Sequence, residues 1–76
     1  MQICVDNLNI MTTARQLAEL FRPFGNVISS KIVRAESNGR FCGMGFIEMD
    51  YLCGRQAIRS LHRLLFMNSY IEVGED

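Results

Sequence analysis

The sequence of 76 residues lacks tryptophan, has only one proline and one histidine, and carries no net charge. Its eight basic and eight acidic side chains cancel, which excludes the strong overall field that attracts nucleic acid or anionic lipid without sequence preference. No apolar run reaches the roughly 18 residues of a membrane-spanning helix, and no secretory signal pattern is present. We therefore expect a cytoplasmic protein without a membrane partner.

Patterns for metal binding and catalysis are also missing. The three cysteines, Cys4, Cys42 and Cys53, form no Cys-x-x-Cys pair and have no histidine nearby, so a zinc site is not indicated. We interpret them as reduced thiols that act as small apolar residues. His62 is the only histidine, and the sequence places no nucleophile with a supporting acid beside it. We expect no enzyme activity, no metal and no cofactor.

The residues that are present suffice for one small globular domain. Apolar residues make up 49% of the chain and charged residues 21%, a balance typical of folded rather than disordered proteins. A chain of this length buries about 60% of the surface that its unfolded form exposes, which predicts modest stability. We expect a single domain over residues 1–76, which is the whole protein if the sequence is not an excerpt.

Alternation of apolar and polar side chains predicts four strands. The predicted strands cover residues 2–10, 26–34, 40–49 and 69–73. In the first, Ile3 and Val5 share the buried face; in the last, Tyr70 lies on the opposite face from the buried side chains. Asn38-Gly39, a favoured pair for a tight hairpin, joins the second and third strands.

Two helices are predicted between these strands. Thr13 and Gln16 have the spacing of a capping box at the start of the first helix, which ends near Pro23. Its apolar stripe consists of Leu17, Leu20, Phe21 and Phe24. The second predicted helix covers residues 51–65. We expect its inward side chains to be Leu52, Ala57, Ile58 and Leu61.

The predicted element order is βαββαβ, the order of the α+β ferredoxin-like sandwich. In that fold four antiparallel strands form one sheet, and two helices pack on one face because both crossovers are right-handed. The other face of the sheet is left open. We expect function to reside on that face.

Two segments resemble the paired motifs of the RNA recognition motif family. CGMGFIEM, residues 42–49, resembles the family pattern K/R-G-F/Y-G/A-F-V-x-F/Y at four positions, and ICVDNL, residues 3–8, resembles its six-residue partner motif at four positions. These positions are Gly43, Gly45, Phe46 and Ile47, and Ile3, Val5, Asn7 and Leu8. ELFRPFGNV and QAIRSLH are similar to the family's helices, so the resemblance covers nearly the whole chain. It is strongest toward small single-domain RNA recognition motif proteins of bacteria.

The resemblance implies that side chains on the open face stack on unpaired bases. The family's three stacking positions are occupied here by Cys4, Met44 and Phe46, and its basic phosphate-contacting position by Cys42. Two of the three rings and the phosphate contact are therefore replaced. We predict a single-stranded RNA-binding module of low, salt-dependent affinity. Single-stranded DNA stays open as a ligand, because nothing in the sequence identifies a 2′-hydroxyl contact.

Six residues are the predicted RNA-binding set. Phe46 stacks on a base, Met44 and Tyr70 add apolar contact, and Cys4 offers little stacking area. Lys31 and Arg40 contact phosphates. Carboxylates on the same face, including Glu48, repel phosphates.

An alternative hypothesis is that the open face is a protein interface. Its apolar side chains suit a protein partner or a homodimer, and the family resemblance does not exclude this alternative. Arg55, Arg59 and Arg63 recur every fourth residue, which is typical of a solvated helix face or of a contact with phosphates or an acidic partner. The apolar run of residues 64–67 is too long to be buried completely, and its exposed part is a second candidate interaction patch.

Overall fold

The computed structural model describes residues 1–37 and 40–76, with the backbone alone at residues 35, 37 and 40–42. Its elements are β1 (Gln2–Leu8), α1 (Ala14–Phe21), β2 (Val27–Ser37), β3 (Arg40–Met49), α2 (Tyr51–Leu61), β4 (Leu65–Phe66), β5 (Ser69–Tyr70) and β6 (Glu72–Glu75). Antiparallel pairing joins β2, β3, β1 and β6, in that order, into a four-stranded sheet. This confirms the predicted ferredoxin-like fold. The predicted turn at Asn38-Gly39 lies outside the described residues.

The start of each helix is fixed by a side-chain cap. The Thr13 hydroxyl accepts a hydrogen bond from the backbone N–H of Gln16 at 3.1 Å, and the Gln16 side chain accepts one from the N–H of Thr13 at 2.9 Å. This is the predicted capping box. At α2, the Asp50 carboxylate accepts from the N–H groups of Leu52 and Cys53, at 3.1 and 3.4 Å. Each cap satisfies backbone donors that have no partner within the helix.

The predicted end and inward face of the second helix are partly wrong. The helix ends at Leu61 rather than at residue 65, because Arg63 adopts a left-handed backbone conformation with φ of 67°. Leu52 is 75% exposed, not inward. The buried positions are Gly54, Ala57 and Leu61, which recur at helical spacing, whereas Leu52 lies about 200° around the axis from Gly54.

Both helices pack on the same face of the sheet. The buried apolar side chains of the strands and of the two helices form one cluster, and the strand members alternate with exposed residues. The cluster consists of Ile3, Val5, Leu8, Leu17, Phe21, Ile47, Met49, Ala57, Leu61, Ile71 and Val73. Because these strand residues share one side of the sheet, the other side is left for function.

A bulge in β1 explains why Leu8 belongs to this core. Val5 pairs with Gly45 and Leu8 pairs with Gly43, so β1 holds one extra residue between the two pairs. The extra residue is accommodated at Asn7, whose φ is 61°. Asparagine tolerates this left-handed conformation better than most residues do. The bulge turns Leu8 inward, and it is only 3% exposed.

The predicted last strand is in fact divided between two sheets. Tyr70 belongs to a separate hairpin in which β4 pairs with β5, and β6 alone joins the four-stranded sheet. Met67 and Asn68, between β4 and β5, both have positive φ, at 50° and 65°, as a tight hairpin turn requires. The apolar run before it is partly buried, as predicted: Phe66 packs on the core, whereas Leu65 is 54% exposed.

Candidate nucleic-acid interface

The face of the sheet opposite the two helices is called the open face from here on. Its residues alternate along each strand of the sheet with those that face the helices. Its described members are Gln2, Cys4, Asp6, Ser29, Lys31, Val33, Met44, Phe46, Glu48, Glu72, Gly74 and Asp76. The predicted orientation of both motif strands is confirmed, because Ile3, Val5, Gly43, Gly45 and Ile47 are all buried on the helix side.

Phe46 occupies the centre of the open face. It pairs with Lys31 on β2 and with Cys4 on β1, so these three predicted site residues form one row across adjacent strands about 4.8 Å apart. Met44, two residues away on the same strand, pairs with Val33, which is 41% exposed. The aromatic ring therefore has a cation on one side and apolar side chains beside it.

A shallow cavity of about 520 Å³ lies around Phe46. It is lined by Gln2, Ser29, Lys31, Val33, Phe46, Ile47, Glu48 and Asp76. Gln2 and Ser29 supply an amide and a hydroxyl, although neither residue belongs to the set predicted from the motifs. The alternation along their strands was the available indication, since each lies two residues from a predicted site residue. Both side chains can donate and accept hydrogen bonds to base edges.

The sheet is open on the β1 side of Phe46, where the family's second ring is replaced. Cys4 is small, and its partner on β6 is Gly74, which has no side chain. A Cβ added at Gly74 would meet no atom within 4 Å. The lost ring therefore leaves a flat area on the sheet, with the small residues Cys4 and Gly74 beside Phe46.

Carboxylates outnumber cations on the described part of the open face. Asp6, Glu48, Glu72 and Asp76 lie on it, against Lys31 alone. The ion pairs found within the described residues both involve Glu19 on α1, away from this face. These carboxylates oppose phosphate binding, which predicts weak affinity even where a base stacks well.

Two predicted site residues lie away from the row at Phe46. Arg40 belongs to β3, where its backbone pairs with Ser37, but its side chain lies outside the described residues. Tyr70 is 64% exposed on β5, and its carbonyl accepts a hydrogen bond from the side chain of Asn7 at 2.9 Å. The structure thus brings Phe46 and Lys31 together and places Tyr70 at the edge of the sheet.

The predicted arginine row is broken by the end of α2. Arg55 and Arg59 lie on the exposed surface of the helix, and the Arg55 guanidinium lies 5.7 Å from the centre of the Tyr51 ring. Arg63 has left the helix and lines a cavity with Tyr70. The sequence spacing alone did not separate Arg63 from the other two.

The surroundings of the Cys4 thiol disfavour its reactive thiolate form. Partial burial raises the pKa of Cys4, and the nearby carboxylates of Asp6 and Asp76 raise this pKa further. The thiol also donates a hydrogen bond to Asp6 at 3.9 Å, which favours its neutral form. A raised pKa means less thiolate at a given pH, and hence slower alkylation.

We expect Asp6→Asn to lower the pKa of Cys4 and to speed its alkylation, because the substitution removes a negative charge and replaces the carboxylate acceptor with a weaker, neutral amide oxygen. Iodoacetamide labelling of Cys4, followed by mass spectrometry across pH, measures this change as a rate profile displaced to lower pH. Glu48→Gln is the matched control, since it neutralises a carboxylate of the same face that does not act on Cys4. Identical profiles for Asp6→Asn and the parent would mean that Asp6 does not raise the pKa of Cys4.

His62 has a structural role. Its Nδ1 accepts a hydrogen bond from the backbone N–H of Val73 at 3.0 Å, which ties the end of α2 to β6. Within residues 1–37 and 40–76 no group of three or more His, Cys, Asp and Glu side chains is placed to hold a metal ion. In the same part of the chain, neither helix is long and apolar enough to cross a membrane.

The model of the RNA recognition motif family matches residues 3–72 of the sequence. The chain belongs to this RNA recognition motif family. The match includes both motif strands, so the side chains at Cys4, Met44 and Phe46 lie on an RNA recognition motif sheet. The predicted family is thereby confirmed.

Relatives of known structure cover almost all of this RNA recognition motif domain. RNA-binding protein PG1 is 34% identical, with a TM-score of 0.88 over 100% of this chain and 93% of that one. The third RNA recognition motif domain of Mip6 is 25% identical, with a TM-score of 0.87 over 99% of this chain and 91% of that one.

A relative by sequence matches a shorter segment. Polyadenylate-binding protein 6 of Arabidopsis thaliana is 41% identical over 46 residues, which are 60% of this chain but 8% of that protein.

Proposed function

We propose that this RNA recognition motif domain binds single-stranded RNA on its open face, with residues 1–76 acting as one domain. The observation that carries the proposal is the position of Phe46, half-buried at the centre of the face, with Lys31 and Cys4 as its paired neighbours. Support also comes from PG1, a relative described as an RNA-binding protein. The assignment to the cytoplasm and the resemblance to bacterial proteins stay predictions.

The proposed binding mode places one base on the Phe46 ring. Stacking on an aromatic side chain contributes roughly 1–3 kcal/mol for each base and tolerates any base. A neighbouring base lies over the flat area formed by Cys4 and Gly74. The Gln2 amide and the Ser29 hydroxyl, which line the same cavity, hydrogen-bond to base edges.

Two cations contact the backbone of the RNA in this proposal. Lys31 is exposed and adjacent to Phe46, so it reaches the phosphate next to a stacked base. Arg40 is proposed for a second phosphate. Met44 and Val33 pack against the sugar or the edge of the base. Single-stranded DNA shares every one of these contacts, because none requires a 2′-hydroxyl.

The affinity is proposed to be weak and to fall steeply with salt. One ring instead of three limits the stacking energy, and the surplus of carboxylates opposes the phosphates. For a single strand the slope of log affinity against log salt is about −0.7 per phosphate contacted. Two contacts therefore correspond to a slope of about −1.4.

Fluorescence anisotropy with a labelled RNA of random sequence tests the proposal directly. We expect binding at low salt, a salt slope of about −1.4 or steeper, and similar affinity for the matching DNA. Absence of binding at low salt, or binding that does not respond to salt, would contradict sheet-mediated binding of nucleic acid.

A second candidate function is a protein interface on the same face, through either a partner or a homodimer. The observation that favours it is the pattern of an apolar centre, Val33, Met44 and Phe46, with carboxylates around it. Apolar association persists or strengthens with salt, in contrast to RNA binding. Sedimentation equilibrium distinguishes the homodimer, which gives a mass that rises with protein concentration.

A further inference from the structure

A second cavity lies at the edge of the four-stranded sheet. It measures about 450 Å³ and is lined by Asn7, Arg63, Tyr70 and Glu72; we call it the edge pocket. All four residues are exposed. They combine an aromatic ring, a guanidinium, a carboxylate and an amide, although they come from three separate parts of the chain.

Hydrogen bonds to backbone carbonyls hold these residues in place. The side chain of Asn7 donates to the carbonyl of Tyr70 at 2.9 Å, which ties β1 to β5. The N–H of Arg63 donates to the carbonyl of Ile71 at 2.7 Å. Ile71 is fully buried, so the residues on either side of it, Tyr70 and Glu72, are anchored to the core.

We propose that the edge pocket binds one guanosine of the single-stranded RNA that the open face holds. This inference rests on the proposed function and adds a base preference to it. Tyr70 stacks on the base, as aromatic side chains do in single-strand recognition. Arg63 contacts the adjoining phosphate, and Glu72 reads the base edge.

The choice of guanine follows from the chemistry of a carboxylate. An ionised carboxylate only accepts hydrogen bonds, through two oxygens side by side. Guanine presents two adjacent donors on its Watson–Crick edge, the ring N1–H and the 2-amino group, which match those oxygens. Adenine and cytosine present one amino group next to a ring acceptor, and uracil one N–H between two carbonyl acceptors. Charge-assisted pairs of this kind are stronger than neutral ones.

The edge pocket is within reach of a strand that stacks on Phe46. Phe46 pairs with Cys4, Cys4 pairs with Gly74, and Glu72 lies two residues from Gly74 on β6. This corresponds to about 10 Å across the sheet and about 7 Å along it. The edge pocket therefore continues the proposed RNA path. It also gives a role to Glu72, which otherwise only repels phosphates.

The test compares uridine hexamers that carry one central guanosine, inosine or adenosine. We expect the parent protein to bind the guanosine hexamer about fivefold to tenfold more tightly than the adenosine hexamer, in the lower range for a bidentate base contact. Inosine, which lacks the 2-amino group, falls between them. Glu72→Gln raises the affinity for the adenosine hexamer, because a repelling charge is lost, and removes the preference for guanosine, because the bidentate acceptor is lost.

Glu48→Gln is the matched control for charge on the open face. Glu48→Gln raises all three affinities but leaves the ratio of guanosine to adenosine unchanged, since Glu48 lines the cavity at Phe46 instead. Arg63→Gln weakens all hexamers equally and reduces the salt slope by about 0.7. Arg59→Gln, on the outer surface of α2, changes neither quantity.

The outcomes separate this inference from the function on which it rests. RNA binding without a guanosine preference, or a preference that persists in both Glu72→Gln and Tyr70→Ala, overturns the edge pocket and leaves the open face intact. Absence of RNA binding by the parent protein overturns both. A guanosine preference that Glu72→Gln removes and Glu48→Gln keeps establishes the pocket.

Discussion

Replacement of Phe46 by alanine is expected to lower the affinity for single-stranded RNA by about tenfold to a hundredfold. Loss of one base–aromatic stack removes roughly 1–3 kcal/mol, and the two other stacking positions of the family hold Cys4 and Met44. Neither Cys4 nor Met44 has a ring that could take over the base. Anisotropy titration at low salt measures the change.

Two variants make this result specific to stacking. Phe46→Leu keeps an apolar side chain on the sheet but removes the ring, so we expect its affinity to be close to that of Phe46→Ala. Tyr51→Ala removes a ring that is 50% exposed on the helix side and leaves RNA binding unchanged. An affinity for Phe46→Ala within about twofold of the parent would mean that the RNA does not bind on the open face.

Gly45→Ala is expected to destabilise the fold strongly, with a loss of about 1–3 kcal/mol in the free energy of unfolding. Gly45 is buried in β3 where α1 crosses it. A Cβ at this position would collide with Leu17 Cδ2 and would lie 3.0 Å from Leu8 Cδ1. Both neighbours belong to the core, so neither moves without opening a gap elsewhere.

Gly74→Ala is the matched control on the opposite face. An added Cβ there meets nothing within 4 Å, and a small exposed substitution usually changes stability by no more than about 0.5 kcal/mol. Urea unfolding followed by circular dichroism measures both variants. Equal midpoints for Gly45→Ala and Gly74→Ala would mean that the helix does not pack tightly on β3.

The parts of the fold with a clear period could be predicted from sequence. Alternation with a period of two fixes which side of a strand is buried, and it placed Phe46 and Lys31 on the open face. The Thr13–Gln16 capping box fixed the start of α1, because the cap is a local interaction between residues three apart. These features depend on near neighbours, so a single sequence contains them.

The hairpin of β4 and β5 could not be predicted in the same way. Its turn uses Met67 and Asn68 in left-handed conformations, without the glycine that usually indicates such a turn. The sequence likewise predicts that the second helix continues past Leu61, because Arg63 keeps the spacing of Arg55 and Arg59. Contacts with distant residues, such as the bond from Arg63 to Ile71, decide these conformations.

The candidate site, too, could be predicted from the sequence only in part. Its residues on β2 and β3 were found from alternation, but their partners were not, since the pairing of Lys31 with Phe46 depends on strand register. The edge pocket joins residues that are up to 65 positions apart in the chain, from Asn7 to Glu72. Only the folded structure shows that Arg63 and Tyr70 share a cavity.

Backbone amide NMR during titration with single-stranded RNA of random sequence tests the central claim most directly. We expect shifts that cluster at Phe46, Met44, Lys31 and Cys4 at low salt and that diminish at moderate salt. Shifts confined to the helix side, around Arg55 and Arg59, would contradict it. The absence of any shift at an excess of RNA, with lines broadened by self-association, would contradict it in favour of a protein interface.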